Sequence, residues 1–155
     1  MSKPTLAYIL GTNLDHPGIA HKVDGQLNAL NAHFSTTLIH YPYTSSSNIV
    51  IKLIQLAVFH CRALIAIITQ DQLYVRYNAK LLILNTILAI AATRKPIFLE
   101  YGSKFNDELR IVKRPIERAI HQLTLRLFSK AQLIHVTVTE DIQSELTQFG
   151  ISKKQ

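Results

Sequence analysis

Two hydrophobic periodicities exchange places along this chain, and that exchange limits what it can fold into. The run Thr5-Leu6-Ala7-Tyr8-Ile9-Leu10 is apolar almost without interruption. Such a run lacks the alternation of a strand wetted on one face and suits one covered on both. A helix is expected at 19–33, where Ile19, Val23, Leu27 and Leu30 keep helical spacing. Strand periodicity returns at Thr36-Thr37-Leu38-Ile39-His40-Tyr41 and stops at Pro42. Ser45, Ser46, Ser47 and Asn48 offer caps for a long helix at about 49–68. A third strand lies within 71–76, a helix at 79–93, a fourth strand at 97–100 and a looser stretch at 102–114. An amphipathic helix from Pro115, a β-rich segment at 133–138 and a helix opening at Thr139 and closing at Gly150 complete the order.

Strands alternating with helices predict an α/β fold: a doubly wound, mainly parallel, five-stranded Rossmann-like sheet with right-handed crossovers and helices on both faces. The 155 residues, 48% of them hydrophobic, suit a single domain, 1–155, with a full core. Ligands of such sheets bind outside the carboxyl ends of the strands, near the reversal of strand order. The apolar stretches 53–68 and 81–92 are expected to be buried helices. The first is interrupted by Gln55, His60 and Arg62, and the second is well short of the roughly 18 residues of a membrane span. No signal-peptide pattern opens the chain. The lone cysteine, Cys61, excludes an internal disulfide and is expected to pack as a small apolar residue. With the missing leader, it points to the cytoplasm.

Several chemistries lack their pattern. The seven histidines show no ligand spacing, so no metal is expected. Neither the dinucleotide fingerprint nor a Walker lysine is present, and no cofactor is expected. No nucleophile elbow appears. A phospho-receiver domain would want acidic residues where Gly11-Thr12 and Arg76-Tyr77 stand. The net charge of +7 suggests an anionic partner. Lys104, Arg110, Lys113, Arg114 and Arg118 crowd the approach to the late helix, either as a solvated face or as a contact for an anionic membrane surface. Nucleic acid is not expected, because basic charge stands without a recognition motif.

Four segments together carry a resemblance: "HPGIAHKVDGQLNAL" after the first strand, Asp71 with Tyr74-Val75-Arg76-Tyr77, Glu100-Tyr101-Gly102 after the fourth strand, and "SKAQLIHVTVTEDIQSELTQFGI" near the end. In order and spacing they are similar to the N-terminal half of GT-B glycosyltransferases of the family 4 type. In that family a glycine-containing loop lies near the donor diphosphate, which implies that role for Gly11, Thr12 and Gly18; a plain turn reads equally well. Arg76 and Tyr77 would face the acceptor or the cleft, although Arg76 could instead cap a helix or pair with Glu100. Glu100 and Tyr101 occupy the neighbourhood where many members carry a histidine, a departure from the family pattern. Thr139 and Glu140 match a strand-to-helix turn; an N-cap with acids in the first turn explains them, and a cleft-facing role is compatible.

The resemblance implies an enzyme that moves a sugar from a nucleotide-sugar donor to a glycan or lipid-linked acceptor, in the cytoplasm or at the inner face of its membrane. It further implies that the donor-binding C-terminal domain is absent from these residues, so that the chain alone catalyses nothing. The alternative from another class is a stand-alone Rossmann-like binding or interaction module with a basic surface.

Overall fold

The structure, a computed structural model, describes residues 3–12, 14, 17–42, 48–103 and 105–151, with the backbone alone for Phe105 and Asn106. The loop residues Asn13, Asp15 and His16, the expected caps Ser45, Ser46 and Ser47, and Lys104 lie outside the described residues. Elements follow the order β1 (Thr5–Leu10), α1 (Pro17–Asn31), β2 (Ser35–His40), α2 (Ile49–Thr69), β3 (Gln72–Arg76), α3 (Leu82–Ala91), β4 (Ile97–Tyr101), α4 (Phe105–Ile111), α5 (Pro115–Phe128), β5 (Ile134–Thr137) and α6 (Glu140–Thr147). The five strands form a parallel sheet in the order β2-β1-β3-β4-β5, flanked by helices. This is the expected Rossmann-like α/β class. Two compact units divide within β3, Met1–Tyr74 and Val75–Gln155.

In the first unit β1 and β2 pair from Thr5↔Ser35 to Leu10↔His40. Leu6, Tyr8 and Leu10 pack with Val23 of α1, and Ile19, Leu27 and Leu30 close over them. Alternation sends Ala7 and Ile9 to the opposite face, and both are fully buried. At the amino end of the strands the Asp71 carboxylate accepts from the Thr5 amide and hydroxyl, both at 2.9 Å. Asp71 is thereby a clamp between chain segments.

Helix α2 starts at Asn48, whose side chain accepts from the Val50 amide at 2.9 Å. It lies on β1 and β2 but buries only Phe59, Ala63, Ala66 and Ile67. This corrects the expectation of a buried helix. One sheet face covers one side of a helix, while α2 is apolar all round. By length and composition α2 is able to cross a membrane, and only 22% of its most apolar stretch is buried within the fold. Cys61 is also corrected: it sits on the outer side of α2 and is exposed.

In the second unit β4 and β5 pair from Phe98↔Ile134 to Tyr101↔Thr137. Helix α5 packs on α3 and α4 and buries Leu125 and Phe128 completely. Each contributes roughly 1.5–3 kcal/mol through burial. Helix α4 stands where a loose stretch was expected. It ends at Lys113, in the left-handed region at φ 54°, where the Arg114 amide reaches the Leu109 carbonyl at 3.0 Å and the Lys113 amide reaches that of Arg110 at 3.2 Å. Two bonds of this nesting pattern satisfy the last carbonyls of a helix. Helix α6 ends the same way at Gly150, φ 79°, with Ile151 bonded to Leu146 at 3.2 Å and Gly150 to Thr147 at 3.0 Å.

Candidate functional site

The second unit gathers six of the sequence-derived candidates, Arg76, Tyr77, Glu100, Tyr101, Thr139 and Glu140, at the carboxyl ends of β3, β4 and β5. Arg76 is the last residue of β3 and is half-buried. Its guanidinium lies close against Gly102, just past β4. A Cβ built on Gly102 would stand 3.0 Å from one terminal nitrogen and 3.4 Å from Nε. A side chain at position 102 would make the guanidinium give by a few tenths of an ångström. Its Nη1 is buried, and no described group accepts a hydrogen bond from it. A guanidinium carries five donors and never loses its charge at ordinary pH. A buried donor on a cation without an acceptor costs about 1–3 kcal/mol or more, so an oxygen ligand there would be strongly favoured.

Beside it runs a buried polar chain. Tyr77, next in sequence and 3% exposed, lies 2.6 Å from Nδ1 of His121 on α5 through its hydroxyl. His121 Nε2 lies 3.3 Å from a Glu145 carboxylate oxygen on α6. An ionised carboxylate only accepts, so Nε2 carries the proton and Nδ1 accepts from Tyr77. Tyr101 lies tilted against Tyr77, ring centroids 5.1 Å apart, and its hydroxyl lies 3.0 Å from Nδ1 of His135 on β5. Burial, then the Glu145 charge, holds the Tyr77 phenol far above its ordinary range, against a smaller opposing hydrogen bond from Thr124. Burial, then Tyr77, raises Tyr101 likewise. Tyrosine, histidine and glutamate in line resemble a nucleophile with its base and orienting acid. Here the phenol is held neutral and out of solvent, so the chain fastens α5 and α6 to the end of β3 and offers no nucleophile.

An open cleft of about 330 Å³ lies past β5, lined by Thr137, Val138, Thr139, Glu140 and Gln143. Thr139 is the N-cap of α6, accepting from the Ile142 amide at 3.3 Å, so the cap and the cleft share one residue. Glu140 and Asp141 fill the first turn with negative charge. Those carboxylates oppose an anion at this helix start. The hydroxyls, amide and carboxylate suit a neutral polyol.

Tyr77, Glu100 and Tyr101 were expected to face a cleft; at 3%, 0% and 1% exposure they point into the interior. The physical reason is that both strand ends are roofed by aromatic and helical side chains. Gly11 and Thr12 follow β1 in the first unit, and Gly18 belongs to the first turn of α1, which begins two residues earlier than the spacing suggested. In the basic stretch, Arg110 pairs with Asp107 at 3.3 Å and Arg114 with Glu117 at 3.0 Å, while Lys113 closes α4. His121, His135 and Glu145 were not singled out from sequence. His121 stands 44 residues from Tyr77 and 24 from Glu145, and no local pattern joins them. Among the described residues no cluster of three His, Cys, Asp or Glu could hold a metal.

No protein-family model matches the chain, and no curated protein matches it. It is similar to a conserved protein from Enterococcus faecalis V583 of known crystal structure, 16% identical, with a TM-score of 0.45 over 94% of this chain and 98% of that one.

Proposed function

We propose that this chain is the acceptor-side half of a sugar transferase, and that Arg76 holds a phosphate oxygen of a phosphorylated glycan or glycolipid acceptor. One observation carries the reading: a cationic guanidinium at a strand's carboxyl end has a buried donor left over. Planar N–H groups match phosphate oxygens in pairs. The polar cleft at Thr137–Gln143 (residues 137–143) is of a chemistry to take the acceptor's sugar hydroxyls, and the sequence resemblance supplies the transferase class. The donor nucleotide belongs to a second domain in this reading. The basic-surface module is less favoured, since Arg110 and Arg114 already share carboxylates.

Titration calorimetry tests this with two ligand sets: uridine, guanosine and adenosine diphosphate sugars, and short-chain prenyl diphosphate sugars. The expected result is saturable binding in the second set only, weakened at least tenfold in Arg76→Met, as a charged hydrogen bond of about 1.5–3 kcal/mol implies. Micromolar binding of a nucleotide-sugar, or prenyl diphosphate sugar binding indifferent to Arg76, would overturn it.

A further inference from the structure

The outward side of α2 carries an unbroken seam. Val50, Ile54, Ala57, Cys61, Leu64 and Ile68 follow one another at intervals of four, three, four, three and four residues. All six are exposed, Ile68 to 78% and Ile54 to 58%. This is the apolar three–four repeat by which one helix packs along another. No charged residue interrupts it, while Leu53, Val58 and Ile65 stand exposed along its margins. At its middle the two small residues Ala57 and Cys61 make a dip between larger neighbours, and small residues let helix backbones approach closely. The inner side of α2 is already engaged with β1 and β2, so the seam is left over from folding of this unit.

Area helps to decide what covers it. Nine large apolar side chains of α2 are between 36% and 78% exposed. Together they leave on the order of 800 Å² in water, above the ~300–600 Å² largest patch of an ordinary monomer and close to the ~800 Å² per partner of a standard stable interface. A bilayer-lying helix is expected to bring Trp or Phe on its apolar face and a row of Lys and Arg beside it. The exposed side of α2 has no aromatic residue, and Arg62 is its one exposed cation.

We infer that this face is a self-complementary docking surface, and that its occupant is α2 of a second copy of this chain in a two-fold dimer. A two-fold interface presents the same patch from both subunits. The uncharged seam with a central dip satisfies that condition, because a two-fold axis through the dip sets Ala57 against the partner subunit's Cys61, lets the two backbones approach there, and pairs the larger side chains on either side.

Sedimentation velocity over a concentration series tests the proposal, with Ile54→Asp/Ile65→Asp as the variant. Both positions are solvent-exposed, and circular dichroism checks that the fold survives. The wild-type chain is expected to dimerise at micromolar concentration, and the variant to associate at least a hundredfold more weakly. Cys61 gives an independent readout without any mutation. Its reaction with a chromogenic disulfide should slow at least tenfold as protein concentration carries the chain into the dimer. A monomer at 100 µM, a dimer untouched by the variant, or a Cys61 rate independent of protein concentration would each overturn the proposal. So would capture of a monomer by vesicles of mixed neutral and acidic lipid that is lost in the variant, which would assign the face to a bilayer.

Discussion

At the scale of single residues, the polar chain Tyr77–His121–Glu145 shows what burial does to familiar chemistry. A phenol at 2.6 Å from imidazole would be a candidate nucleophile in a wet cleft; roofed over, it is a hydrogen-bonded strut. Tyr77→Phe keeps the ring and removes the hydroxyl, and with it the 2.6 Å hydrogen bond to Nδ1 of His121. The expected loss is about 0.5–1.5 kcal/mol of stability, the usual net worth of one hydrogen bond, read from urea unfolding midpoints. A midpoint within experimental error of the wild type would show that this chain does not hold the fold. None of this was legible in the sequence. His121 sits on the apolar side of a helix that reads correctly as amphipathic, and its partners come from elements far along the chain. Arg76 was legible as a candidate because it ends a strand. Its close approach to Gly102 appears only when the two are side by side.

At the scale of elements, alternation with helical spacing located all five strands: β1 and β4, buried nearly throughout, write themselves as short apolar blocks, while β-branched residues mark the more open β2 and β5. What the periodicity hid was α4. Its closing residue is Lys113, where a glycine would have announced the end, as Gly150 does for α6. The two helix ends share one hydrogen-bond pattern with different residues in the left-handed position. A side chain there costs roughly 1 kcal/mol relative to glycine. Lys113→Gly should therefore raise stability by about 0.5–1 kcal/mol, after allowing for glycine's greater freedom in the unfolded chain. Gly150→Ala should lower it by about 1 kcal/mol. Opposite signs in thermal unfolding are the expected outcome; a loss in both would mean that Lys113 contributes contacts beyond its backbone geometry. Periodicity also misjudged α2. An apolar helix of this length reads as interior, and composition cannot report that one sheet face covers a single side of it.

At the scale of the molecule, the two raised phenols couple stability to alkaline pH. Both folded-state values lie above the ordinary phenol range, so folded Tyr77 and Tyr101 keep their protons where the unfolded chain gives them up. Their contribution is complete below about pH 10, the ordinary phenol value, and declines as pH rises above it, because the unfolded state then binds fewer protons. The unfolding midpoint in urea should fall between pH 9.5 and 11, and fall less in Tyr77→Phe. An equal decline in both proteins would place the alkaline sensitivity elsewhere.

In the proposed acceptor role, the leftover donor of Arg76 takes an acceptor phosphate. Nitrogen–proton NMR correlation spectra of the chain, titrated with a short-chain prenyl diphosphate sugar, test it most directly. Shifts of the Arg76 side-chain signal and of amides at Gly102 and residues 137–143 are expected, with the amide shifts lost in Arg76→Met at the same ligand concentration. Shifts confined to other parts of the chain, or a pattern that survives in Arg76→Met, would contradict it.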